Sequence, residues 1–385
     1  MAVIAPVAAH DFDHLDALLA RWQWLWQPAP FTGEPAWQSQ YPGLAQALIH
    51  LDDHDYLQLV HDDQRALQWL GTHLPALAEL APFVDGPTGA TPWQASRKQG
   101  QVEAFAAQAR PAGDTVVEWC AGQGWLLERL ARQWPERHCR GLEWQPRLCE
   151  QGNERLRRAG LQATLAVTNV LSDPLTLGRR DSVVALHACG HLHQALLQRI
   201  SANPVHDLHL SPCCYHLGSP VALSQRATGA RLAASAIDRH LAVQDIGVGH
   251  GNRQRRAERS SRWRLGYDLL QRTVSGHDHY RPTPSWPAAV WQGLFADFCH
   301  HCAAHHGLTL PADTDFDHWR QAGAQRHREV RRLELPRRQF RRLLEWWLVL
   351  DMAWYLAEHG YRTRVLVFCP APLTPRNLLL VAERD

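Results

Sequence analysis

The segment Val116–Glu128 constrains the fold of this chain more than any other. It begins with a short apolar run, turns at two glycines, Gly122 and Gly124, and continues with helical spacing. An acidic residue, Glu143, closes the next apolar run, 21 positions after Gly122. A glycine turn and an acid about 20 residues apart are typical of a nucleotide-binding βαβ unit, whose acid accepts hydrogen bonds from a ribose. The segment therefore predicts an α/β sheet with a nucleotide site at the carboxyl edge of its strands.

Two side chains at this turn discriminate between nucleotides. A dinucleotide fingerprint has Gly or Ala three positions after its second glycine, so that the helix packs closely beneath a pyrophosphate. This chain has Leu127 there, and Glu118 precedes the turn, where it would repel a phosphate but could hold an ammonium. An adenosine ligand with an amino acid tail and no phosphate satisfies both observations. The turn therefore predicts S-adenosylmethionine (SAM) as the cofactor.

The spacing of apolar residues predicts four segments. Residues 1–90 form an N-terminal helical domain that ends in the linker Asp85–Pro92, and residues 91–222 form a Rossmann-like core of alternating strands and helices. Residues 223–350 form an arginine-rich helical insertion, and residues 351–385 contain a helix end and a β-hairpin that completes the core sheet. The predicted strands are 115–119, 139–143, 163–167, 182–187, 207–211, 363–368 and 377–382. Together they predict an α/β fold with a parallel sheet and an antiparallel C-terminal hairpin.

Composition limits the cellular setting. The chain of 385 residues has a formal net charge of only +2, so no overall field attracts nucleic acid or membrane. Nine cysteines without framework spacing indicate reduced thiols. Residues 1–11 lack the basic start of a secretory signal, and no run approaches 18 apolar residues. We therefore predict a cytoplasmic protein that does not cross a membrane, and the sequence leaves its oligomeric state open.

Reactive side chains follow the fourth and fifth predicted strands. The fourth strand runs into His187 and Cys189, and the fifth runs into Cys213, Cys214 and His216. Ligands of open α/β sheets bind beyond the carboxyl ends of the strands, so these side chains should border the transferred methyl group. Titratable groups there are candidates for a base or for positioning a nucleophile.

Other interpretations of these residues stay open. Cysteines and histidines at strand ends are often inert core residues. Cys213 could be a nucleophile for carbon methylation of a pyrimidine, if a neighbour activates its thiol. Cys213, Cys214 and His216 are closer in sequence than ordinary zinc ligands, although Cys189 could complete four ligands; we predict no metal. The segment Cys299–His306 has His and Cys four residues apart on a helix, and we interpret it as an ordinary helix face.

The motifs at the two strand ends resemble one methyltransferase family. His187–Gly190 (HACG) and Pro212–His216 (PCCYH) resemble class I methyltransferases that include the methyltransferase-like domain of glutathione S-transferase C-terminal domain-containing protein and its bacterial relatives. They are more distantly similar to eukaryotic tRNA acceptor-stem 2′-O-methyltransferases. Trp119–Gly124, Ser96–Lys98 and Thr374–Asn377 also match, and the resemblance covers roughly residues 94–222 and 362–382. It implies a SAM-binding, Rossmann-like class I methyltransferase sheet.

The resemblance also implies roles for individual residues. Glu143 would bind the ribose, and Asn169 and Val170 would flank the adenine. The cofactor's methionine part would be held by residues around the first strand: Lys98, Glu118, Cys120, Ala121, Gly122 and Gly124. The acceptor side would be lined by His187, Cys189, Cys213, Cys214 and His216. The fourth strand lacks an Asn/Asp-Pro-Pro-aromatic tetrad, which argues against methylation of an exocyclic base amine.

Two arginine clusters bear on the acceptor. Arg253–Arg272 contains seven arginines against two acids, and Arg326–Arg342 contains eight against two. Such runs are usually solvated helix faces, but on one surface they could bind an RNA backbone. With the resemblance, they predict RNA, and tRNA in particular, as the acceptor. A small-molecule or protein methyltransferase and a catalytically idle SAM-binding scaffold remain as alternatives.

Overall fold

A computed structural model describes residues 9–84, 97–244, 252–287 and 290–384 of the chain. The predicted linker Asp85–Pro92 and the first eight residues lie outside this range. No helix of the described residues is both long and apolar enough to cross a membrane.

The described residues form seventeen α-helices and seven β-strands. The strands are β1 Thr115–Trp119, β2 His138–Glu143, β3 Ala163–Val167, β4 Asp181–Cys189, β5 Asp207–Cys213, β6 Arg362–Val367 and β7 Leu378–Glu383. The helices are α1 Ala9–Arg21, α2 Gln23–Trp26, α3 Trp37–Gln40, α4 Pro42–Ile49, α5 Asp53–His61, α6 Asp63–Gly71, α7 Arg97–Gln108, α8 Trp125–Gln133, α9 Pro146–Arg158, α10 His191–Ala202, α11 Gln225–Thr228, α12 Arg239–Ala242, α13 Asn252–Ser275, α14 Phe295–His306, α15 Phe316–Leu333, α16 Leu335–Arg338 and α17 Arg341–Glu358. Short 3₁₀ turns cover Pro75–Leu80, Tyr215–Leu217, Ala234–Ala236 and Val290–Gln292.

All seven strands belong to one sheet, in the order β3-β2-β1-β4-β5-β7-β6. β1 to β5 are mutually parallel, β7 runs antiparallel to β5, and β6 pairs antiparallel with β7. This confirms the predicted Rossmann-like sheet with its antiparallel C-terminal hairpin. Helices α8, α9 and α10 follow β1, β2 and β4, because each crossover must return the chain to the same edge, whereas the described segment between β3 and β4 contains no helix. The carboxyl ends of β1, β2, β4 and β5 therefore open toward one edge.

The central strands are longer than predicted. β4 continues to Cys189 and β5 to Cys213, each two residues beyond the predicted end. A β-bulge between Leu186 and Ala188 lets β4 stay paired with β5 past His187. The bulge places an extra residue, His187, in β4 opposite the Ser211–Pro212 step of β5.

The chain separates into two compact units that are discontinuous in sequence. Unit 1 comprises the described parts of Met1–Arg21, Thr88–Gln244 and Arg341–Asp385, and it contains the sheet. Unit 2 comprises the described parts of Trp22–Pro87 and Asp245–Phe340, and its described residues contain no strand. Helices α2 to α6 therefore share a unit with α13 to α16, whereas α1, α11, α12 and α17 belong to the unit that contains the sheet.

Within unit 2, α13 and α15 approach closely at Gly266 and Gly323. A Cβ on Gly323 would lie 2.4 Å from the backbone oxygen of Arg262 and 2.6 Å from Cα of Gly266. Only glycine permits this backbone contact, which fixes the crossing of the two arginine-rich helices.

Candidate active site

Backbone strain marks the edge of the sheet where the central strands end. Among the described residues, the three non-glycine residues with positive φ are Cys120, His187 and Cys214, at 57°, 62° and 48°. They lie at the ends of β1, β4 and β5. Non-glycine residues in this conformation cost energy and concentrate at functional sites. The strain therefore points to the same strand ends as the sequence.

The glycine turn after β1 is held by Glu143. Gly122 and Gly124 have φ values of 57° and 70°, which favour glycine. The Glu143 carboxylate accepts hydrogen bonds from the backbone N–H of Gly122 at 2.9 Å and of Gln145 at 3.0 Å. Glu143 is only 5% exposed. The predicted ribose-binding acid thus also fixes the turn, and each of its oxygens already accepts one backbone hydrogen bond.

Glu118 binds the start of the following helix. Its Oε2 accepts a hydrogen bond from the backbone N–H of Leu127 at 2.9 Å. Burial raises the pKa of Glu118 to about 8, although the Leu127 N–H and the charge of Lys98 act against this rise. A buried carboxyl that holds a proton near neutral pH needs a cation to ionise it. An ammonium group bound here would supply that cation.

The remaining predicted cofactor residues surround this turn. Ala121 is buried, and its N–H donates to Leu142 O at 2.8 Å, extending the pairing of β1 with β2. Lys98 is exposed on α7. After β3, Val170 is buried and Asn169 is exposed, with the Asn169 side chain accepting from the Leu171 N–H at 3.1 Å.

One aromatic residue beside Glu143 was not predicted. Trp144 is 66% exposed, an unusual state for a tryptophan. Val167 and Leu171, near the end of the adjacent strand β3, are also exposed. A flat indole next to the predicted ribose-binding acid suits stacking of a planar base. The position of Trp144 directly after Glu143 is the sequence feature that could have identified it as a site residue.

Three cysteines meet at the ends of β4 and β5. Cys189 Sγ lies 3.0 Å from Cys213 Sγ and 3.2 Å from Cys214 Sγ. We call these residues the thiol cluster. Cys213 is buried, and Cys189 and Cys214 are half-buried. The sequence predicted that both strand ends border one site, and the structure brings their sulfurs into contact.

The three thiols differ in acidity. Hydrogen bonds from Cys213 and then Cys214 lower the pKa of Cys189 to about 6, against the effect of burial. The hydrogen bond to Cys189, followed by burial, raises the pKa of Cys213 far above its ordinary value. Burial and the contact with Cys189 also raise the pKa of Cys214. Thiolate character is therefore concentrated on Cys189, and the electrostatics do not favour Cys213 as a nucleophile.

His187 sits between α7 and the C-terminal hairpin loop. Its Nε2 is 3.2 Å from Gln101 Oε1, and Gln101 Nε2 donates to Leu373 O at 3.0 Å. Burial, followed by the charge of Arg376, lowers the pKa of His187 to about 4. His187 is therefore a neutral imidazole that donates to Gln101 and keeps Nδ1 as an acceptor. Neither Gln101 nor Arg376 was predicted as a site residue, although Arg376 lies in the matched stretch Thr374–Asn377.

His216 lies apart from the three sulfurs. Its ring centroid is 4.9 Å from that of His240, and its Nδ1 is buried without a hydrogen-bond partner among the described residues. Burial, then His240 and Arg376, lowers its pKa. Its ring nitrogens are not part of the thiol cluster.

A buried polar network supports the loop after β5. The Tyr215 hydroxyl donates to Glu345 Oε1 at 3.2 Å, and Arg342 Nη1 donates to Glu345 Oε2 at 2.6 Å. Arg342 also donates to Asn377 Oδ1 at 2.8 Å, which ties the hairpin to the same network. All four residues are less than 6% exposed. The network fixes the loop that carries Cys214 and His216, and α17 supplies two members that the sequence did not identify.

The helix with His and Cys pairs has ordinary roles. Cys299 and Cys302 are buried in the core of unit 2, and the His306 ring contacts the Tyr267 hydroxyl at 2.8 Å. His301 packs against Trp286, with ring centroids 5.6 Å apart. This agrees with the interpretation of the segment as a helix face.

Comparison with known proteins supports a methyltransferase domain. A family model described as a methyltransferase domain matches residues 97–219, about a third of the chain. This stretch contains β1 to β5, the glycine turn and both reactive strand ends. The match and the sheet topology support the predicted methyltransferase domain within these residues. No curated protein sequence matches the chain significantly.

Solved structures align with parts of the chain. An O-methyltransferase from a trans-AT polyketide synthase multienzyme of Brevibacillus brevis, in complex with S-adenosyl-L-homocysteine, is 20% identical over 29% of this chain and 39% of its own, with a TM-score of 0.25. A geranyl diphosphate C-methyltransferase from Streptomyces coelicolor is 18% identical over 31% of this chain and 53% of its own, with a TM-score of 0.26. A tRNA (uracil-54, C5)-methyltransferase from Pyrococcus abyssi is 14% identical over 29% of this chain and 26% of its own, with a TM-score of 0.25. The alignments span less than two thirds of each of these proteins.

Proposed function

We propose that this protein transfers the methyl group of SAM to an RNA acceptor, and to tRNA in particular. One observation carries the choice of methyl transfer. Two buried carboxyl groups, those of Glu118 and Glu143, flank a left-handed glycine turn at the same sheet edge as the thiol cluster and His187. Donor-binding groups and reactive acceptor-side groups are thereby gathered on one edge.

The donor would bind across the ends of β1 and β2. Glu143 would accept hydrogen bonds from the ribose hydroxyls in addition to those from Gly122 and Gln145. Glu118 would pair with the ammonium of the methionine part, which would favour its ionised form. Trp144 would cover one face of the adenine, near Asn169 and Val170.

Methyl transfer is an in-line displacement at the sulfonium carbon, so alignment of donor and acceptor is the main catalytic task. His187, with its pKa lowered to about 4, is mostly neutral near pH 7 and can accept a hydrogen bond from an acceptor group. The positive charge of Arg376 acts to lower the pKa of both His187 and Cys214, and it would attract an anionic acceptor. Cys213 and His216 would shape the acceptor side.

An RNA acceptor is favoured by α13. Arg255, Arg256 and Arg259 are exposed on this helix within four residues of each other. Arg259 also donates to the Trp291 carbonyl at 2.8 Å, which orders its side chain. Ordered surface arginines are suitable phosphate ligands.

The second arginine cluster contributes less to this proposal. Five of its eight arginines are buried: Arg332, Arg337, Arg338, Arg341 and Arg342. Arg332, for example, donates to Asp53 and to the Leu51 carbonyl, both at 2.7 Å. Such arginines hold helices together. We therefore assign RNA contact to α13 rather than to the whole of Arg326–Arg342.

Methyl-labelled SAM incubated with separate cell fractions tests the acceptor class. The proposal expects label in the RNA fraction, with the strongest signal in tRNA. Label in the protein fraction or in small metabolites would show that RNA is not the acceptor and that the labelled class is. Binding of SAM without transfer to any fraction would favour a catalytically idle scaffold.

Salt dependence tests the α13 surface. Binding of tRNA should weaken steeply as the salt concentration rises, because each phosphate that an arginine neutralises releases up to about 0.9 bound counterions. Reversing Arg255, Arg256 and Arg259 to Glu should lower the log–log slope by roughly 2–3 units. Arg320→Glu on α15 is the matched control, since Arg320 is exposed on the other arginine-rich helix of unit 2. An unchanged slope in the triple variant would remove α13 from the RNA site.

A further inference from the structure

The thiol cluster is the one group of three or more metal-ligating side chains that converges among the described residues. The Sγ atoms of Cys189, Cys213 and Cys214 all lie within 4.8 Å of one another. The other described contact of the Cys189 sulfur is a long one, 3.5 Å to the carbonyl of His187. The Cys189 sulfur thus contacts both other sulfurs where the two strands end.

The backbone builds this convergence from two strands. Cys189 and Cys213 are direct partners in the pairing of β4 with β5, past the bulge at His187. The Gly190 N–H donates to the Cys213 carbonyl at 3.2 Å and locks this last pair. The positive φ of Cys214 then bends the chain so that its side chain turns back toward Cys189. The contact of the three sulfurs therefore depends on two residues with strained backbone conformations, His187 and Cys214.

We propose that Cys189, Cys213 and Cys214 bind one Zn²⁺ ion, with the fourth coordination position open to water or to an acceptor oxygen. Zinc–sulfur bonds are about 2.3 Å long, so tetrahedral geometry places the sulfurs roughly 3.8 Å apart. The observed separations of 3.0 and 3.2 Å require the thiols to move apart by roughly 0.6–0.8 Å, which small side-chain rotations provide.

The chemistry of the ligands favours zinc over the hard cations. Thiolates are soft ligands that select Zn²⁺ or Cu⁺, whereas Mg²⁺ and Ca²⁺ require oxygen ligands. Cys213 is buried, but Cys189 and Cys214 are half-buried, so one side of the cluster remains accessible. Three protein ligands with one open position are typical of catalytic rather than structural zinc.

An open zinc position would act on the acceptor. Zinc lowers the pKa of a bound hydroxyl group and so makes its oxygen a better nucleophile near neutral pH. The acceptor would then be a hydroxyl, such as that of a ribose, and its proton would leave to solvent. The activation of an acceptor hydroxyl by zinc rests on the proposed methyl transfer, whereas the zinc site itself does not.

Metal content of the full-length protein tests the site. The protein is purified under reducing conditions, loaded with Zn²⁺, freed of excess metal and measured by mass spectrometry of the elements. We expect one zinc per chain in the wild type, and less than a tenth of that in Cys189→Ala and Cys214→Ala. Cys299→Ala is the matched control, because it removes a buried cysteine of unit 2 and should retain the zinc. Retention of zinc by both cluster variants would overturn the proposal.

Cobalt substitution of the wild-type protein gives a result that does not depend on folding of the variants. Co²⁺ should produce intense sulfur-to-metal charge-transfer absorption and visible bands of tetrahedral coordination. Failure to bind either metal while the three thiols react freely with a thiol reagent would refute the site. A stable Cys189–Cys213 disulfide in reducing, zinc-containing buffer would also refute it. Calorimetry with S-adenosylhomocysteine separates the zinc site from the proposed methyl transfer. A protein that binds S-adenosylhomocysteine but no zinc would refute the metal site and leave the proposed function standing.

Discussion

Replacing Glu143 by alanine should weaken cofactor binding and loosen the glycine turn at the same time. The Glu143 carboxylate accepts backbone hydrogen bonds from Gly122 and Gln145 at 2.9 and 3.0 Å, and it is the predicted ligand of the ribose. Alanine removes all of these acceptors from a position that is 5% exposed. The two effects have different magnitudes and can be measured separately.

The binding effect follows from the ribose contacts. Hydrogen bonds to a charged acceptor contribute about 1.5–3 kcal/mol, so Glu143→Ala should weaken binding of S-adenosylhomocysteine roughly ten- to hundredfold. The folding effect follows from the backbone donors. Leaving a buried N–H without an acceptor costs about 1–3 kcal/mol, so the free energy of unfolding without ligand should fall by about that amount. Glu143→Gln keeps an acceptor oxygen and should lose affinity with less loss of stability.

Isothermal titration calorimetry with S-adenosylhomocysteine and urea unfolding without ligand measure the two quantities. Glu150→Ala is the control, because Glu150 is an exposed acid on α9, shortly after Glu143 in the chain. Wild-type affinity in Glu143→Ala would refute the ribose assignment. Wild-type stability together with weak binding would refute the role of Glu143 in holding the turn.

Four further substitutions test other parts of the site. Burial raises the pKa of Glu118 from 4.5 to about 8, so the folded chain keeps a proton that the unfolded chain releases, and stability should fall as pH rises between these values. In urea titrations, Glu118→Gln should show a smaller loss of stability with rising pH than the wild type. The wild type should also bind S-adenosylhomocysteine more tightly as pH rises from 6 to 8, because Glu118 ionises, and Glu118→Gln should lose this pH dependence. A wild-type pH profile in the variant would contradict this role of Glu118. Cys213→Ser and His216→Ala should each reduce turnover while leaving cofactor affinity nearly intact, and full activity in both would make them ordinary core residues. Glu345→Gln leaves the buried charge of Arg342 without its carboxylate and should lower the free energy of unfolding by about 3–5 kcal/mol; a change below 1 kcal/mol would show that the network does not stabilise the fold.

The sequence by itself determined the core sheet and the position of its reactive edge. Apolar runs separated by helical spacing fixed β1 to β5 to within two residues, because burial of parallel strands on both faces leaves continuous hydrophobic stretches. The glycines at 122 and 124 marked the turn, since only a few residue types adopt its left-handed backbone without strain. A carboxylate at a fixed distance completed the pattern.

Only the tertiary structure decided how the strand ends meet. Sequence spacing placed Cys189 after one strand and Cys213 after another, but contact of their sulfurs depends on the bulge at His187 and on the register between β4 and β5. A bulge changes which face each later side chain occupies, and no local pattern predicts where it forms. The support from Glu345 likewise joins residues 130 positions apart.

The arginine-rich segments illustrate the same division. Charge density predicted solvated or RNA-binding surfaces for both clusters, because isolated charges avoid burial. Arg332 is nevertheless buried, since Asp53 and a backbone carbonyl satisfy its guanidinium. Periodicity specifies which face of a helix is apolar, but the distant segment that covers it is chosen by packing. For that reason the helices of residues 22–87 and 245–340 form one unit that the order of the sequence did not reveal.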